Sequence, residues 1–404
     1  MDETWDVVVV GAGPAGASAA LSTLYANPDA RVLMVDRDDF PRDKPCGDGI
    51  APHVLDVLSS VGVTGVESGY AGVHRLVIGF ASGPSTGGAM ARAAYVIPRS
   101  VFDARLVDAA VHRGAQLCRH RIRTVAPAND GERLVLDGSI RAGVVIAADG
   151  ASSLIRRQLS PRRTRATHPP DVSLSWWWPK RPGGEVGHTA VAIRGYAPVP
   201  ASRAGQQVIV FSDPDGSRGS PWPAYAWSFP IGDGRANVGY GELLRPGQPL
   251  TRRHLLDRLD ELLPDAGAGG QSWRAHHLPL STGRPRQPDG RILFAGDAMN
   301  LINPVTGEGI FYAVTSGVLA GRAALSSDDP GRRYRAALRR GLGAHLRHTD
   351  AAALLARSPR IVAAAVHAAN RTASTFDDLV ELGLGRGKLT PSALAGIAGA
   401  LLRC

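Results

Sequence analysis

A short run near the N-terminus limits the fold more than any other feature. Residues 5–36 begin with WDVVVV, pass through GAGPAG and end at RVLMVD. A β-branched apolar run closing on glycine reads as a strand buried on both faces. GAGPAGASAALSTLYA reads as a tight turn into a helix, and RVLMVD as a second buried strand. Together they form the strand–helix–strand unit of a parallel sheet. Gly11, Gly13 and Gly16 make G-x-G-x-x-G at the first junction. Glycine permits the tight turn and lets the N–H groups of a helix N-terminus approach a pyrophosphate. Asp36 closes the second strand, followed by Arg37. A carboxylate there can accept hydrogen bonds from a ribose. Strand, glycine turn, helix, strand and acid together imply dinucleotide binding.

Later segments extend this plan. IPRSVFDARLVDAAVHRGAQL reads as a strand end and then an amphipathic helix, with Val101, Leu106, Ala109 and Ala110 as its inner face. RAGVVIAADG at 141–150 is another strand closing on a turn, and GRILFAGDA at 290–298 repeats that pattern. Residues 170–280 carry few helical patterns and are rich in Pro, Gly, Trp and alternating segments. An antiparallel sheet with long loops is expected there. Beyond about residue 310 the pattern turns helical, with a loop near 385–391. The stretch SALAGIAGALL at 392–402 is apolar but short, open between a terminal core helix and a membrane contact.

Composition bounds the function classes. A length of 404 residues calls for two or three packed units. Cys46, Cys118 and Cys404 are too few and scattered for a disulfide framework. The adjacent pair His276 and His277 lacks a carboxylate or cysteine at ligand spacing, so no metal is expected. Net charge is +10, yet three of the 46 basic residues are lysines. An arginine skew of this kind, beside abundant Ala, Gly and Pro, follows from a GC-rich coding sequence, and nucleic acid is not an expected partner. The start MDETWD is acidic and runs straight into VVVV, unlike a signal peptide. No apolar run of about 18 residues suits a membrane span. The expected location is cytoplasmic, with a peripheral contact to the inner face of the membrane left open.

Two segments carry candidate chemistry. RDKPCGDGIAP at 42–52 places Cys46 between a proline and Gly47, with Gly49 beyond it. A thiol is mostly protonated near neutrality and can act as a general acid. The competing reading makes Cys46 a small packing residue in a turn. In PAYAWSFP, Tyr225, Trp227 and Phe229 alternate at period two, which puts all three on one face of a strand. That face suits either an apolar pocket or ordinary sheet packing. Trp176, Trp177 and Trp178 cannot all point one way in a strand, so at least one is expected at a surface or cavity mouth.

The motif AADG at 147–150 and the segment LFAGDAMNLINPVTGEGIFYAVTSG at 293–317 resemble later FAD-contacting motifs of the flavin hydroxylase superfamily. Within it, KPCGDGIAP, IPRSVFDARL, YAWSFPIGDGRANVGYG and NPVTGEGIFYAVTSG are similar to the geranylgeranyl reductase family. The resemblance implies an α/β chain: a Rossmann-type FAD-binding domain (1–75, 98–165, 281–345), an antiparallel-sheet substrate domain (76–97, 166–280) and a C-terminal helical region (346–404). It implies FAD contacts at Gly11, Gly13, Ala15, Gly16, Asp36, Arg37, Gly47, Gly49, Arg99, Val125, Asp149, Asp297, Gly307, Gly309 and Ile310. It also favours Tyr225, Trp227 and Phe229 as a wall for a lipophilic substrate, and a thiol loop that faces the flavin.

The function so implied is an FAD-dependent reductase saturating C=C bonds of an isoprenoid or related lipophilic substrate. An isolated alkene accepts hydride poorly unless a proton reaches the other carbon, which is the role open to Cys46. Only one strand–GxGxxG–helix unit is present, so NAD(P)H is expected as a transient visitor, or an electron-donor protein in its place. The alternative is an FAD-dependent monooxygenase tailoring an aromatic or terpenoid natural product, which needs no acid thiol. A halogenase would need a lysine between flavin and substrate, and only Lys44 and Lys180 lie near suitable loops.

Overall fold

A computed structural model describes residues 4–81, 83–129, 131–159, 187–212, 224–244 and 250–402. Trp176, Trp177, Trp178 and Lys180 lie outside the described residues. The chain opens with β1 (Thr4–Val10), α1 (Pro14–Ala26), β2 (Val32–Asp36), β3 (Gly49–Ile50), α2 (Pro52–Ser59), β4 (Val73–Phe80) and β5 (Ser85–Val96). Next come α3 (Arg99–His112), β6 (Gln116–Arg119), β7 (Val125–Pro127), β8 (Leu134–Leu136), β9 (Ile140–Ala147) and α4 (Leu154–Leu159). β10 (Thr189–Pro198), β11 (Gln207–Phe211), β12 (Tyr225–Pro230), β13 (Arg235–Leu243), α5 (Arg252–Leu262), β14 (Gln271–Pro279) and β15 (Ile292–Phe294) follow. The last helices are α6 (Ile310–Ala324), α7 (Pro330–Gly341), α8 (Gly343–Leu355), α9 (Pro359–Arg371), α10 (Ala373–Leu384) and α11 (Pro391–Leu401).

Two sheets organise these elements. The first runs β6-β2-β1-β9-β8-β7, with β15 also paired to β9. Its β6, β2, β1, β9 and β15 are parallel, whereas β8 and β7 are antiparallel. Val7, Val8 and Val9 of β1 have no exposed surface, as a strand covered on both faces requires. The second sheet runs β14-β10-β13-β12-β11-β4-β5-β3 and is antiparallel except at β11–β4. Strands from early in the chain, β3 to β5, thus join strands from its middle.

Close backbone contact aims the helices. A Cβ on Gly317 or Gly321 of α6 would lie 2.1 Å from the Ala15 carbonyl oxygen or 2.3 Å from that of Ala19. No side chain fits there, so α6 crosses α1 almost backbone to backbone, which brings both helix N-termini to one end of the first sheet. On the second sheet, Phe376 of α10 packs over Gly88 of β5, where a Cβ would fall 2.8 Å from its ring.

Two sequence expectations are corrected, and a third, on α11, is met on one face of the helix while Leu394 and Leu401 are exposed. The buried face of α3 is Arg99, Phe102, Asp103, Leu106, Val107 and Ala110, with Val101 and Ala109 half-buried. The stripe is rotated because a buried ion pair, Arg99–Asp103, occupies it. The middle region also holds α5, which the residue pattern did not predict. Leu255, Leu259 and Leu262 bury its inner face, and the Thr251 hydroxyl accepts the His254 N–H. In α11, Ala393, Ile397 and Ala400 are buried, and the cluster they join includes Ala364 and Ala368 of α9. Among the described residues no helix is long and apolar enough to cross a membrane.

Candidate active site

Both sheets face one cavity of about 890 Å³. Its lining includes Gly11, Gly13, Ala15, Asp36, Arg37, Cys46, Gly47, Gly49, Arg99, Asp149, Tyr225, Trp227, Phe229, Asp297, Gly307, Gly309 and Ile310. Two expected contacts are absent from that lining, Gly16 and Val125. A Cβ on Gly16 would lie 1.8 Å from the Gly11 carbonyl oxygen, so this glycine serves the packing of turn against helix. Val125 lies in β7, and its N–H points to Gln158 at 3.3 Å. The cavity wall expected there is formed by residues 120–122 instead.

The end under the first sheet is built from backbone. Gly11 has φ +97°, and a Cβ on it would sit 2.3 Å from the Ala148 carbonyl oxygen. Gly13 caps α1, and no side chain satisfies the N–H groups of the first turn. A Cβ on Gly13 would meet the Arg42 guanidinium at 3.2 Å and that of Arg99 at 4.0 Å. Asp36 accepts the Ala12 N–H at 2.8 Å with one carboxylate oxygen and the Asp38 N–H at 3.0 Å with the other. Asp149 accepts the Leu154 N–H at 2.8 Å through Oδ2, while its buried Oδ1 has no partner.

At the junction of the two ends, Lys44 donates to Asp297 at 3.0 Å. Burial alone would raise the Asp297 carboxyl, but Lys44 holds it below its usual range. The turn 304–309 is tied by Asn303, which accepts from Val305 N–H at 2.9 Å and donates to the Tyr312 hydroxyl at 3.0 Å. Gly307 has φ +67°, and Gly309, the N-cap of α6, has no side chain of its own to cap the helix. Glu308 accepts the Phe311 N–H at 2.8 Å, and burial pushes its carboxyl up to about 7.

The other end is built from side chains. Tyr225, Trp227 and Phe229 stand in a row along β12, with ring centroids 5.9 and 6.4 Å apart. Phe211 and Phe80 continue that row at 5.7 and 6.0 Å. The Tyr225 hydroxyl donates to the Thr306 carbonyl and joins the wall to the α6 turn. Leu76, Ile209 and Leu384 extend the apolar lining on one side, Ala192 and Leu278 on the other. The thiol loop lies between the two ends. Burial pushes the Cys46 thiol up, against an opposing pull from Arg99.

Several site residues escaped the sequence reading. Asp48 is fully buried, accepts the Tyr196 hydroxyl at 2.6 Å, and is pushed by burial up to about 6. Buried Arg194 pairs with Asp43 and stacks on Tyr196. His276 lines the cavity with its Nε2 unpartnered, and burial with the nearby Lys44 pushes it down to about 4. Its ring is therefore neutral near pH 7. Only KPCGDGIAP hinted at these contacts, since partners far apart in sequence leave no local pattern.

The lining fits a bound dinucleotide at three places. The uncapped N–H groups of α1 and the Arg42 and Arg99 guanidinium groups suit a pyrophosphate. The orphaned Asp149 Oδ1 suits a hydroxyl donor. The positive end of the α6 dipole suits a ring that takes up negative charge.

Comparison with known proteins agrees. The FAD binding domain family matches residues 4–220. The menaquinone reductase of Mycobacterium tuberculosis (strain CDC 1551 / Oshkosh) is 32% identical over 352 residues, covering 81% of this chain and 78% of that protein. Digeranylgeranylglycerophospholipid reductase 1 of Methanopyrus kandleri is 31% identical over 336 residues, covering 80% and 81%. The crystal structure of a geranylgeranyl bacteriochlorophyll reductase-like protein from Thermoplasma acidophilum shares the fold, with TM-score 0.75 at 20% identity over 99% of this chain and 98% of that one.

Proposed function

Because the chain belongs to the geranylgeranyl reductase family of FAD-dependent oxidoreductases, we propose that it saturates C=C bonds of an isoprenoid chain carried by a lipophilic molecule. The observation that carries this reading is one cavity lined by the glycine cradle, the thiol loop and an aromatic row. Bound and reduced, FAD supplies the hydride. Gly11, Gly13, Asp36, Arg99 and Asp149 would hold its nucleotide portion, and residues 307–310 its ring.

An isolated alkene has no carbonyl to take up negative charge, so a proton must arrive at the second carbon as hydride reaches the first. Cys46 Sγ is the donor in this reading. Burial keeps the thiol protonated at neutral pH, which a general acid needs. The apolar lining around Tyr225, Trp227 and Phe229 orients the chain across β12 and excludes water from the reacting carbons. Lys44 is engaged by Asp297 and is not poised as a halogen carrier, which weighs against halogenation. With a single glycine cradle, electrons are supplied either by NAD(P)H visiting transiently or by an external donor protein. The names of the relatives support a menaquinone or a digeranylgeranyl lipid as first candidate substrates.

The test is anaerobic. FAD-loaded protein is reduced with dithionite and mixed with menaquinone or a digeranylgeranyl lipid, and the product is weighed by mass spectrometry. A gain of two hydrogens is expected. A product heavier by one oxygen and formed only in air would overturn the reading in favour of monooxygenation.

A further inference from the structure

Three neighbouring residues of the second sheet reach three successive residues of the thiol loop. Tyr196 of β10 and Phe229 of β12 both stand in register with Asn237 of β13, between them. Register partners share a face of the sheet, and here that face meets the loop. The Tyr196 hydroxyl donates to Asp48 Oδ2 at 2.6 Å. Asn237 Nδ2 donates to the Cys46 carbonyl at 2.8 Å and to Asp48 Oδ2 at 2.8 Å. The Phe229 ring lies 3.5 Å from the point where a Cβ on Gly47 would be. One transverse row thus grips residues 46, 47 and 48.

Asn237 is the centre of that grip. It has no exposed surface, and its Oδ1 accepts the Trp227 indole N–H at 2.9 Å. Trp227 can only donate and the Cys46 carbonyl can only accept, so the amide's orientation is determined and all its main hydrogen bonds are used. Aspartate would turn an acceptor toward two acceptors, and leucine would leave Trp227 and Asp48 without this partner. The loop needs such a hold, because Asp48 has φ +59°, a left-handed conformation that L-residues rarely adopt without support.

We propose that Asn237 is the positioning residue for Cys46, setting the thiol's place and direction against the aromatic wall. The inference rests on the reductase reading only where the thiol meets substrate; the geometry of the grip does not depend on it. An acid held about 1 Å out of place loses on the order of 10²-fold in rate.

The experiment uses FAD-loaded full-length protein in which Cys118 and Cys404 are replaced by serine, so that Cys46 is the only thiol. Two readouts are taken on Asn237→Asp: the pH profile of Cys46 alkylation by iodoacetamide, and kcat and KM for reduction of a digeranylgeranyl lipid or menaquinone. Alkylation should speed up about tenfold across the profile as the loop is released and the thiol becomes accessible. The kcat should fall about 10²-fold with KM within about threefold. Adding Asp48→Asn returns a donor opposite the introduced carboxylate and should recover about tenfold in both readouts. If Asn237→Asp does not retain FAD, Tyr196→Phe removes a single hydroxyl of the same row and should move both readouts the same way by about threefold. An alkylation profile identical to that of the parent protein would overturn the proposal. So would an unchanged kcat, or a double variant no better than the single one. If the alkylation profile shifts and is rescued while even the parent protein reduces no alkene, the positioning role stands and the reductase reading falls.

Discussion

The two ends of the cavity are made in opposite ways. Under the first sheet the wall is backbone: a Cβ would collide with carbonyl oxygens at Gly11 and Gly16, and bare N–H groups begin α1. Over the second sheet the wall is side chain: the aromatic row Tyr225, Trp227 and Phe229, backed by Asn237 and Tyr196. A backbone site recognises what every FAD molecule shares, its phosphates and sugars, and tolerates no substitution. A side-chain site can be reshaped one residue at a time, so under the proposed function substrate choice would reside there. The thiol loop belongs to both, lining the cavity at Gly47 and Gly49 and held by Asn237 from the second sheet.

The sharpest way to break this contrast is at the backbone end. Gly11→Ala and Gly16→Ala each force a methyl group into a carbonyl 2.3 or 1.8 Å away. Either should destabilise the protein by about 3 kcal/mol or more and abolish FAD retention, read by thermal unfolding and by flavin absorbance after gel filtration. A variant that keeps its flavin would show that the turn is not close-packed. At the side-chain end a change of similar size should be survivable. Phe229→Ala removes a half-buried ring from the wall and should raise KM for a polyprenyl substrate about tenfold while FAD content stays whole. Loss of flavin on this substitution would mean that the two ends are not separable.

A smaller effect sharpens the picture at the junction. Burial raises Glu308 from its usual range up to about 7. The folded protein therefore holds this proton over a pH range in which the unfolded chain has released it, and stability falls as pH rises from about 4.5 to about 7, then levels. Glu308→Gln should flatten that part of the stability–pH curve and leave the protein more stable than the parent at pH 8, read by urea denaturation. Parallel curves for the two proteins would place Glu308 in contact with water.

The contrast also explains what the sequence disclosed. Glycines demanded by sterics leave a local spacing, so the cradle and β1–α1–β2 were legible from residues 5–36. Period-two aromatics are likewise local, and Tyr225, Trp227 and Phe229 lie together on the cavity wall. The grip on Cys46 is different in kind. Asn237 lies 191 residues from the carbonyl it holds, and nothing in ANVGYG distinguishes a strand asparagine with three partners from a solvated one. The buried pair Arg99–Asp103 misled in another way, because two charges at helical spacing ordinarily mark the exposed face of α3 rather than its core. In α5 the leucine spacing and the Thr251 cap were present, but a surrounding rich in Pro and Gly hid a helix of three turns.

The thiol joins the two ends, and one measurement addresses its role directly. Dithionite-reduced, FAD-loaded protein is mixed without oxygen with a polyprenyl substrate, and the return of oxidised-flavin absorbance is followed by stopped flow for the parent and for Cys46→Ala. The parent should reoxidise as the alkene is saturated, and the variant, with equal FAD content and substrate binding, should do so about 10²-fold more slowly. Equal rates in the two proteins would contradict the role assigned to Cys46.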